Sequence, residues 1–210
     1  MGRISSFERL RESERETRKD LIIAAATDMF REKNFWDISM RDIAGTAGVS
    51  ASSLYRYFPS RDDLFIEALL IDIDKIEILL NERMVRGEGL EALSIAVVDY
   101  FLDNEPTFQM MCHFLMRGDE TPGVNEKFGA VQLRFLTMFE KVVKTLSGGE
   151  EAVTTLHIRA FFASLAGIVM TFRQFPGYTD KERRAYMHKL ALLIMSDGKE
   201  IGTSKPGQAV

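Results

Sequence analysis

Residues 47–64 read AGVSASSLYRYFPSRDDL, a stretch that joins a glycine turn, three clustered serines and an aromatic run containing an arginine. Two helices can meet through a tight turn when a glycine there adopts the left-handed backbone conformation. Gly48 supplies that turn, and Ala44 is small enough to lie where the helices approach each other. Four apolar residues would pack the second helix against its neighbours: Ile43, Ala47, Val49 and Leu54. The spacing predicts a helix-turn-helix.

Helical periodicity extends over most of the chain, and no segment shows the sustained alternation of a β-strand. Three capping boxes predict helix starts at Ser39, Ser60 and Thr179, and Pro59 ends the helix that begins at Ser50. The charged segment 8–20 is expected to fray. The first helix is expected to end near Lys33 and the helix from Ser60 near Val85, with later helices at 90–103, 105–118, 124–146, 150–175 and 179–196. Loops are predicted at 118–123, 148–149 and 176–177, and the fold class is all-α.

The composition excludes several classes of protein. The net charge of -4 over 210 residues argues against a globally basic nucleic-acid binder and leaves room for a local basic patch. The lone cysteine, Cys112, cannot form an internal disulfide, and the first residues lack an apolar signal segment, so we expect a cytoplasmic protein. The apolar run 160–172 is shorter than the roughly 20 residues of a membrane span and predicts a buried helix, with no membrane partner.

The second helix of the motif presents small and polar side chains suited to DNA. Serine hydroxyls bind bases or phosphates, tyrosine hydroxyls donate to phosphates, and Arg56 can pair with guanine or with a phosphate. Arg61 begins the next helix, where free backbone N–H groups also attract a phosphate. The predicted DNA contacts are Ser39, Ser50, Ala51, Ser52, Ser53, Tyr55, Arg56, Tyr57 and Arg61. The alternative is a plain helical hairpin whose serines act only as caps.

Residues 18–65 resemble the N-terminal domain of the TetR (tetracycline-repressor) family of transcription regulators. The resemblance is carried by Ser39, Ile43-Ala44, Ala47-Gly48-Val49-Ser50, Leu54-Tyr55, Tyr57-Phe58 and Arg61. Two positions depart from the family pattern. Ser52 stands where glycine is common, which changes how deeply the helix enters a groove, and Arg61 replaces the usual lysine while keeping its charge.

The resemblance implies a ligand-responsive regulator, usually a repressor, that binds a palindromic double-stranded DNA operator as a homodimer and is released by a small apolar or amphipathic effector. It implies a DNA-binding domain at 14–60 and a helical effector-binding and dimerisation domain at 61–196. The polar segments 1–13 and 197–210 are expected to be disordered tails. No cofactor is expected.

Two sets of residues in the larger domain fit the implied functions. Flexible methionines and aromatic rings can line an adaptable effector pocket, although core filling is the better explanation for any single one of them. The candidate pocket residues are Phe101, Met110, His113, Phe114, Phe135, Met138, Phe139 and Phe162. A stripe of small residues and part of the last helix can form a four-helix dimer interface, or can pack within one chain. These residues are Ala160, Ser164, Gly167, Thr171, Leu190 and Ile194.

The sequence offers no support for an enzyme or a metal site. It lacks GxSxG, GxGxxG, Walker and HExxH motifs, and its three histidines lie on different predicted helices. One cysteine without ligand pairs at zinc spacing does not predict metal binding. The remaining alternative is a helical protein-interaction module that uses the helix-turn-helix as a scaffold, without specific DNA binding.

Overall fold

The computed structural model describes residues 6–33, 37–116, 123–146 and 155–201, with side chains up to residue 195. Within these ranges the chain forms nine α-helices and no β-strand, which confirms the predicted all-α class. The helices are α1 Ser6–Glu32, α2 Met40–Thr46, α3 Ala51–Tyr57, α4 Arg61–Val85, α5 Leu90–Asp103, α6 Glu105–Met116, α7 Val124–Leu146, α8 Thr155–Phe172 and α9 Asp180–Ile201.

Most helices begin and end where the sequence predicts. Helices α5 and α7 have the predicted bounds, and α4 begins directly after the Ser60 cap. Thr179 and Glu182 form the expected capping box before α9: the Thr179 backbone N–H donates to the Glu182 carboxylate at 2.8 Å. The predicted break at 148–149 and most of the loop at 118–123 lie outside the described residues. Helix α9 continues to Ile201, so the prediction of a disordered tail is wrong for residues 197–201.

Helix α1 is longer than the charge pattern predicts. It is helical from Ser6, so fraying over 8–20 and a disordered tail over 6–13 were wrong expectations. Arginine and glutamate have high helix propensity, and a helix that is anchored at one end propagates outward at little cost per residue. The Lys19 ammonium lies 3.4 Å from the Glu67 carboxylate of α4, and burial begins at Ile22.

The chain separates into two compact units. The first contains Met1–Ile71 with Gln109–Phe128, and the second contains Asp72–Phe108 with Gly129–Val210. Helices α4, α6 and α7 therefore each supply residues to both units. The predicted division between residues 60 and 61 stays a prediction. In the first unit, the Phe30 and Phe65 rings meet edge to face at 5.2 Å, and both are buried.

Helix α8 differs from its prediction as a buried helix. It is long and apolar enough to cross a membrane by length and composition alone, with a mean hydropathy of 1.5. Only 22 % of its residues are buried within the chain. Ile158, Leu165, Ile168 and Val169 face the core of the second unit, while much of the remaining surface of α8 is exposed. The prediction failed because apolar composition does not reveal whether a second chain or the same chain covers a helix face.

Candidate nucleic-acid interface

Helices α2 and α3 are joined by the turn that residues 47–64 predict. Gly48 has φ +67°, in the left-handed region that disfavours every residue with a Cβ. The Val49 backbone N–H donates to the Ala44 carbonyl at 3.0 Å and closes the turn. A Cβ at Gly48 would meet no atom within 4 Å, so the requirement for glycine comes from the backbone conformation alone.

Three apolar side chains fix the angle at which α3 leaves the turn. Ile43 and Leu54 are 0 % exposed, and Ala44 is 2 % exposed, which places them in the core of the first unit. The other two predicted packing residues, Ala47 and Val49, are half-buried. Because Leu54 points into the core, the opposite side of the short helix α3 points outward.

Serine caps hold both helices of the motif. The Ser39 hydroxyl accepts from the Asp42 N–H at 3.2 Å, and the Asp42 carboxylate accepts from the Ser39 N–H at 2.9 Å. Hydrogen bonds from the Ser39 hydroxyl and N–H lower the pKa of Asp42. The Ser50 hydroxyl accepts from the Ser53 N–H at 3.1 Å and lies 3.0 Å from the Ser52 hydroxyl. Ser39 and Ser50 therefore do act as caps, and their contacts with DNA stay predictions.

The outward side of α3 carries the predicted DNA-contact residues. Ser52, Tyr55 and Arg56 are exposed, and three neighbours are half-buried: Ala51, Ser53 and Tyr57. The Arg56 guanidinium lies 5.7 Å from the centroid of the Tyr57 ring. No acidic residue occurs between Asp42 and Asp62, so α3 presents positive charge without a competing carboxylate of its own.

Arg41 is a candidate contact that the sequence reasoning missed. It lies in the first turn of α2 and is exposed. Its position two residues after the Ser39 cap was the signal that could have identified it, because helix N-terminal turns commonly face phosphates.

Arg61 is held by the first unit and does not simply project into solvent. Its Nη1 donates to the Ile38 carbonyl at 3.2 Å, and its guanidinium lies 5.4 Å from the centroid of the Phe65 ring. The side chain is half-buried. These contacts tie the first turn of α4 to the segment that enters α2.

The two residues after Arg61 bind two other helices of the first unit. The Asp62 carboxylate lies 3.1 Å from Nε2 of His113 on α6, and both side chains are buried. Asp63 accepts from Lys127 of α7 at 2.5 Å. Burial raises the pKa of Asp63, but the hydrogen bonds from Lys127 and Ser60 outweigh it, and the pKa of Asp63 is lowered.

The candidate pocket residues fall into two groups. Met110, His113 and Phe114 lie in the first unit, where the His113 ring meets the Phe114 ring at 5.0 Å. The remaining five belong to the second unit: Phe101, Phe135, Met138, Phe139 and Phe162.

Aromatic rings of the second unit form a continuous cluster. The Phe135 ring lies 4.6 Å from Phe162, 6.4 Å from Phe101 and 6.5 Å from Phe139. Met138, which precedes Phe139 in the sequence, is also buried and is 6 % exposed. The clustering fits a lined pocket and a filled core alike, so the effector-contact role of these residues stays a prediction.

The predicted dimer residues are all at least partly exposed along α8 and α9. Ala160, Gly167 and Thr171 are exposed, and Ser164, Leu190 and Ile194 are half-buried. Leu193 of the last helix is 57 % exposed, and two larger apolar residues of α8 that the prediction omitted are exposed as well: Leu156 at 75 % and Met170 at 49 %. The spacing of Leu156, Ala160, Gly167 and Met170 is that of one helix face and could have identified them.

Within the described ranges, no group of three or more His, Cys, Asp or Glu side chains could hold a metal ion.

Residues 22–68 match the tetR family of bacterial regulatory proteins. Over these residues the chain is similar to the DNA-binding domain of TetR-family regulators. The match contains α2, the turn and α3, together with most of the buried part of α1 and the start of α4.

A curated relative and two solved structures are also similar to this chain. The chain is 27 % identical over 128 residues to an uncharacterised helix-turn-helix-type transcriptional regulator from Haemophilus influenzae, and the match spans 59 % of each chain. Thermus thermophilus FadR, a TetR-family transcriptional repressor solved with lauroyl-CoA, superposes with a TM-score of 0.63 at 16 % identity, over 91 % of this chain and 100 % of FadR. Bacillus subtilis FadR, solved with stearoyl-CoA, gives 0.63 at 17 % identity, over 84 % and 97 %. At these identities the structures show the common fold.

Proposed function

We propose that this chain is a TetR-family transcriptional repressor that binds a palindromic operator as a homodimer and is released by a small amphipathic effector. The observation that carries the proposal is the geometry of α3. Leu54 and Gly48 orient the helix so that Ser52, Tyr55 and Arg56 face outward, without any carboxylate on the helix. This surface suits the major groove, with hydroxyls for bases or phosphates and one arginine for a guanine.

A homodimer is supported by the outward surface of α8. Leu156 and Met170 expose apolar area along a helix that packs on α9 and α5 by its other side. Contiguous exposed apolar area marks an association surface, and a two-fold interface is the commonest kind for identical chains. Two chains paired in this way would present two α3 helices about 34–36 Å apart, one turn of DNA, if the pairing matches other two-fold regulators.

An acyl-CoA thioester is the effector class that we would test first. The second unit is rich in buried aromatic side chains, which suit an acyl chain, and two FadR proteins of the same fold were solved with lauroyl-CoA and stearoyl-CoA. A ligand can release the operator only in proportion to its preference for the conformation that binds DNA less well.

The test is selection of bound fragments from sheared genomic DNA, at about 150 mM salt where non-specific binding is weak. Enrichment of a near-palindromic site is expected, and lauroyl-CoA should then reduce its occupancy. Absence of enrichment with ligand-free dimer would favour the helical protein-interaction module instead. Enrichment that acyl-CoA leaves unchanged would remove this effector class and retain the DNA-binding role.

A further inference from the structure

The first turn of α4 carries three consecutive charged residues, and each binds a different part of the first unit. Arg61 donates to the Ile38 carbonyl just before α2, Asp62 meets His113 of α6, and Asp63 meets Lys127 of α7. Arg61 is therefore one residue away from a contact that links α4 to the C-terminal half of α6.

Of the two carboxylate contacts, the one between Asp62 and His113 is buried, and the one between Asp63 and Lys127 is more exposed. The side chains are 12 % and 7 % exposed, whereas the Lys127 side chain is 58 % exposed. Buried polar contacts are costly to break because each partner then loses its hydrogen bond without gaining water, and exposed ion pairs contribute little. Asp62 and His113 should therefore dominate the placement of this turn.

The His113 ring is itself fixed by aromatic neighbours. It meets the Phe65 ring edge to face at 5.9 Å with an interplanar angle of 89°, and Phe65 lies beneath the Arg61 guanidinium. Phe114, the next residue of α6, stacks on Phe128 of α7 at 4.8 Å. The imidazole, the phenyl ring and the guanidinium thus form a packed column from α6 to Arg61.

We propose that His113 is a positioning residue for the DNA-contact surface, which holds the first turn of α4 through Asp62 and the Arg61 guanidinium through Phe65. The proposal rests on the proposed DNA-binding function and assigns His113 a role other than effector contact. His113 acts here through Arg61 and touches no DNA itself.

The experiment is a double-mutant cycle on operator affinity in the full-length dimer. His113→Phe keeps an aromatic ring and removes the hydrogen-bonding nitrogen, and Arg61→Ala removes the guanidinium. We expect each variant to weaken operator binding about tenfold, and the double variant also about tenfold, since both changes remove one contact. Independent roles would instead give about a hundredfold in the double variant.

His113→Gln is the rescue variant, because its amide nitrogen can take the place of Nε2 towards Asp62. It should restore operator affinity to within about twofold of the wild type. His188→Gln is the matched control, since His188 contacts Asp99 at 2.7 Å in the second unit through the same pair of residue types. It should leave operator affinity unchanged.

A further variant tests the proposal in case the single substitution at His113 prevents folding. Asp62→Leu with His113→Phe removes both polar partners, which is better tolerated than leaving one buried carboxylate alone. This variant should fold and still show the tenfold loss. Normal operator affinity in the folded variants, or additive effects with Arg61→Ala, would overturn the proposal while leaving DNA binding intact. A wild type that binds no operator would overturn both.

Discussion

The outward sides of α3 and α8 are both uncovered within one chain, but their chemistry is opposite. Helix α3 presents hydroxyls, a phenol and a guanidinium at Ser52, Tyr55 and Arg56. Helix α8 presents Leu156 and Met170 around the small residues Ala160 and Gly167. A polar surface is stable in water without its partner, whereas an exposed apolar surface gains free energy whenever a partner covers it. The difference suits a reversible DNA contact on α3 and a lasting protein contact on α8.

The two surfaces also differ in how their local structure is specified. Helix α3 depends on short-range signals: the Ser50 cap, the Gly48 turn and the Pro59 stop all lie within a few residues. Helix α8 has neither an acidic residue in its first turn nor a basic residue in its last turn. Its placement in the second unit depends on packing against α5 and α9, which are distant in sequence.

The largest expected effect comes from placing a charge on α8. Gly167 is exposed and a Cβ there meets nothing within 4 Å, so Gly167→Arg should leave the single chain folded. An unpaired charge buried at a dimer interface costs about 3 kcal/mol or more. Sedimentation velocity should therefore show monomers, and operator affinity should fall by about a hundredfold or more.

Gly129→Arg on α7 is the matched control for this prediction. Gly129 is likewise helical and exposed, with nothing within 4 Å of a Cβ. The control should remain dimeric and bind the operator normally. A Gly167→Arg protein that stays dimeric would show that α8 is not the interface, and would leave the exposed surface of α8 for another partner.

The next effect concerns the turn that orients α3. Gly48→Ala places a Cβ in the left-handed conformation, which costs about 1–2 kcal/mol per residue. Urea denaturation should show a loss of that size in the free energy of unfolding, and operator binding should be weaker. Gly45→Ala is the control, because Gly45 is exposed within α2 and alanine is the better helix former there. Equal stability of the two variants would mean that the turn tolerates another backbone conformation.

The contrast between the two surfaces explains what the sequence could predict. The capping boxes at Ser39 and Thr179 and the turn at Gly48 were correctly predicted, because each depends on residues within four positions of one another. The contacts of Asp62 with His113 and of Asp63 with Lys127 join residues 51 and 64 positions apart. Such pairs depend on the assembled fold, and nothing in the local pattern marks them.

Two of the errors in the sequence predictions have related causes. Helix α1 extends through the charged residues 8–20 because an anchored helix propagates, which local polarity does not reveal. Helix α8 was expected to be buried because its composition is apolar, but composition does not identify the covering partner. The functional assignment of the surfaces of α3 and α8 rests on their chemistry and stays a proposal.

A smaller and more selective effect is expected from Arg56. Arg56→Ala removes the one charge on α3, and if Arg56 reads a guanine the cost is about 1–3 kcal/mol on the operator and much less on random DNA. Fluorescence anisotropy with both DNA sequences measures the ratio of operator affinity to random-DNA affinity in each variant. Tyr55→Phe is the control for a phosphate contact, because loss of one hydroxyl should weaken both DNA sequences to a similar extent. Equal losses for Arg56→Ala on both sequences would assign Arg56 to a phosphate.

The smallest effect is a pH dependence at the Ser39 cap. Hydrogen bonds from the Ser39 hydroxyl and N–H lower the pKa of Asp42, so its folded value lies below the unfolded value of about 3.9. The stabilisation is therefore present above about pH 4 and is lost as pH falls through the folded pKa. Urea denaturation between about pH 2.5 and 6 should show that the free energy of unfolding changes less steeply with pH in Asp42→Asn than in the wild type.

Glu182 allows this cap to be compared with one in the second unit. The Thr179 backbone N–H and hydroxyl lower the pKa of Glu182. Glu182→Gln should therefore also reduce the loss of unfolding free energy that occurs as the pH falls into the acid range. The two caps should differ in their effect on DNA. Ser39→Ala loosens the start of α2 and should reduce operator affinity, whereas Thr179→Ala loosens α9 and should leave the affinity of the intact dimer unchanged. Equal effects on DNA binding would mean that the ends of α2 and α9 are coupled, and that the two surfaces do not act separately.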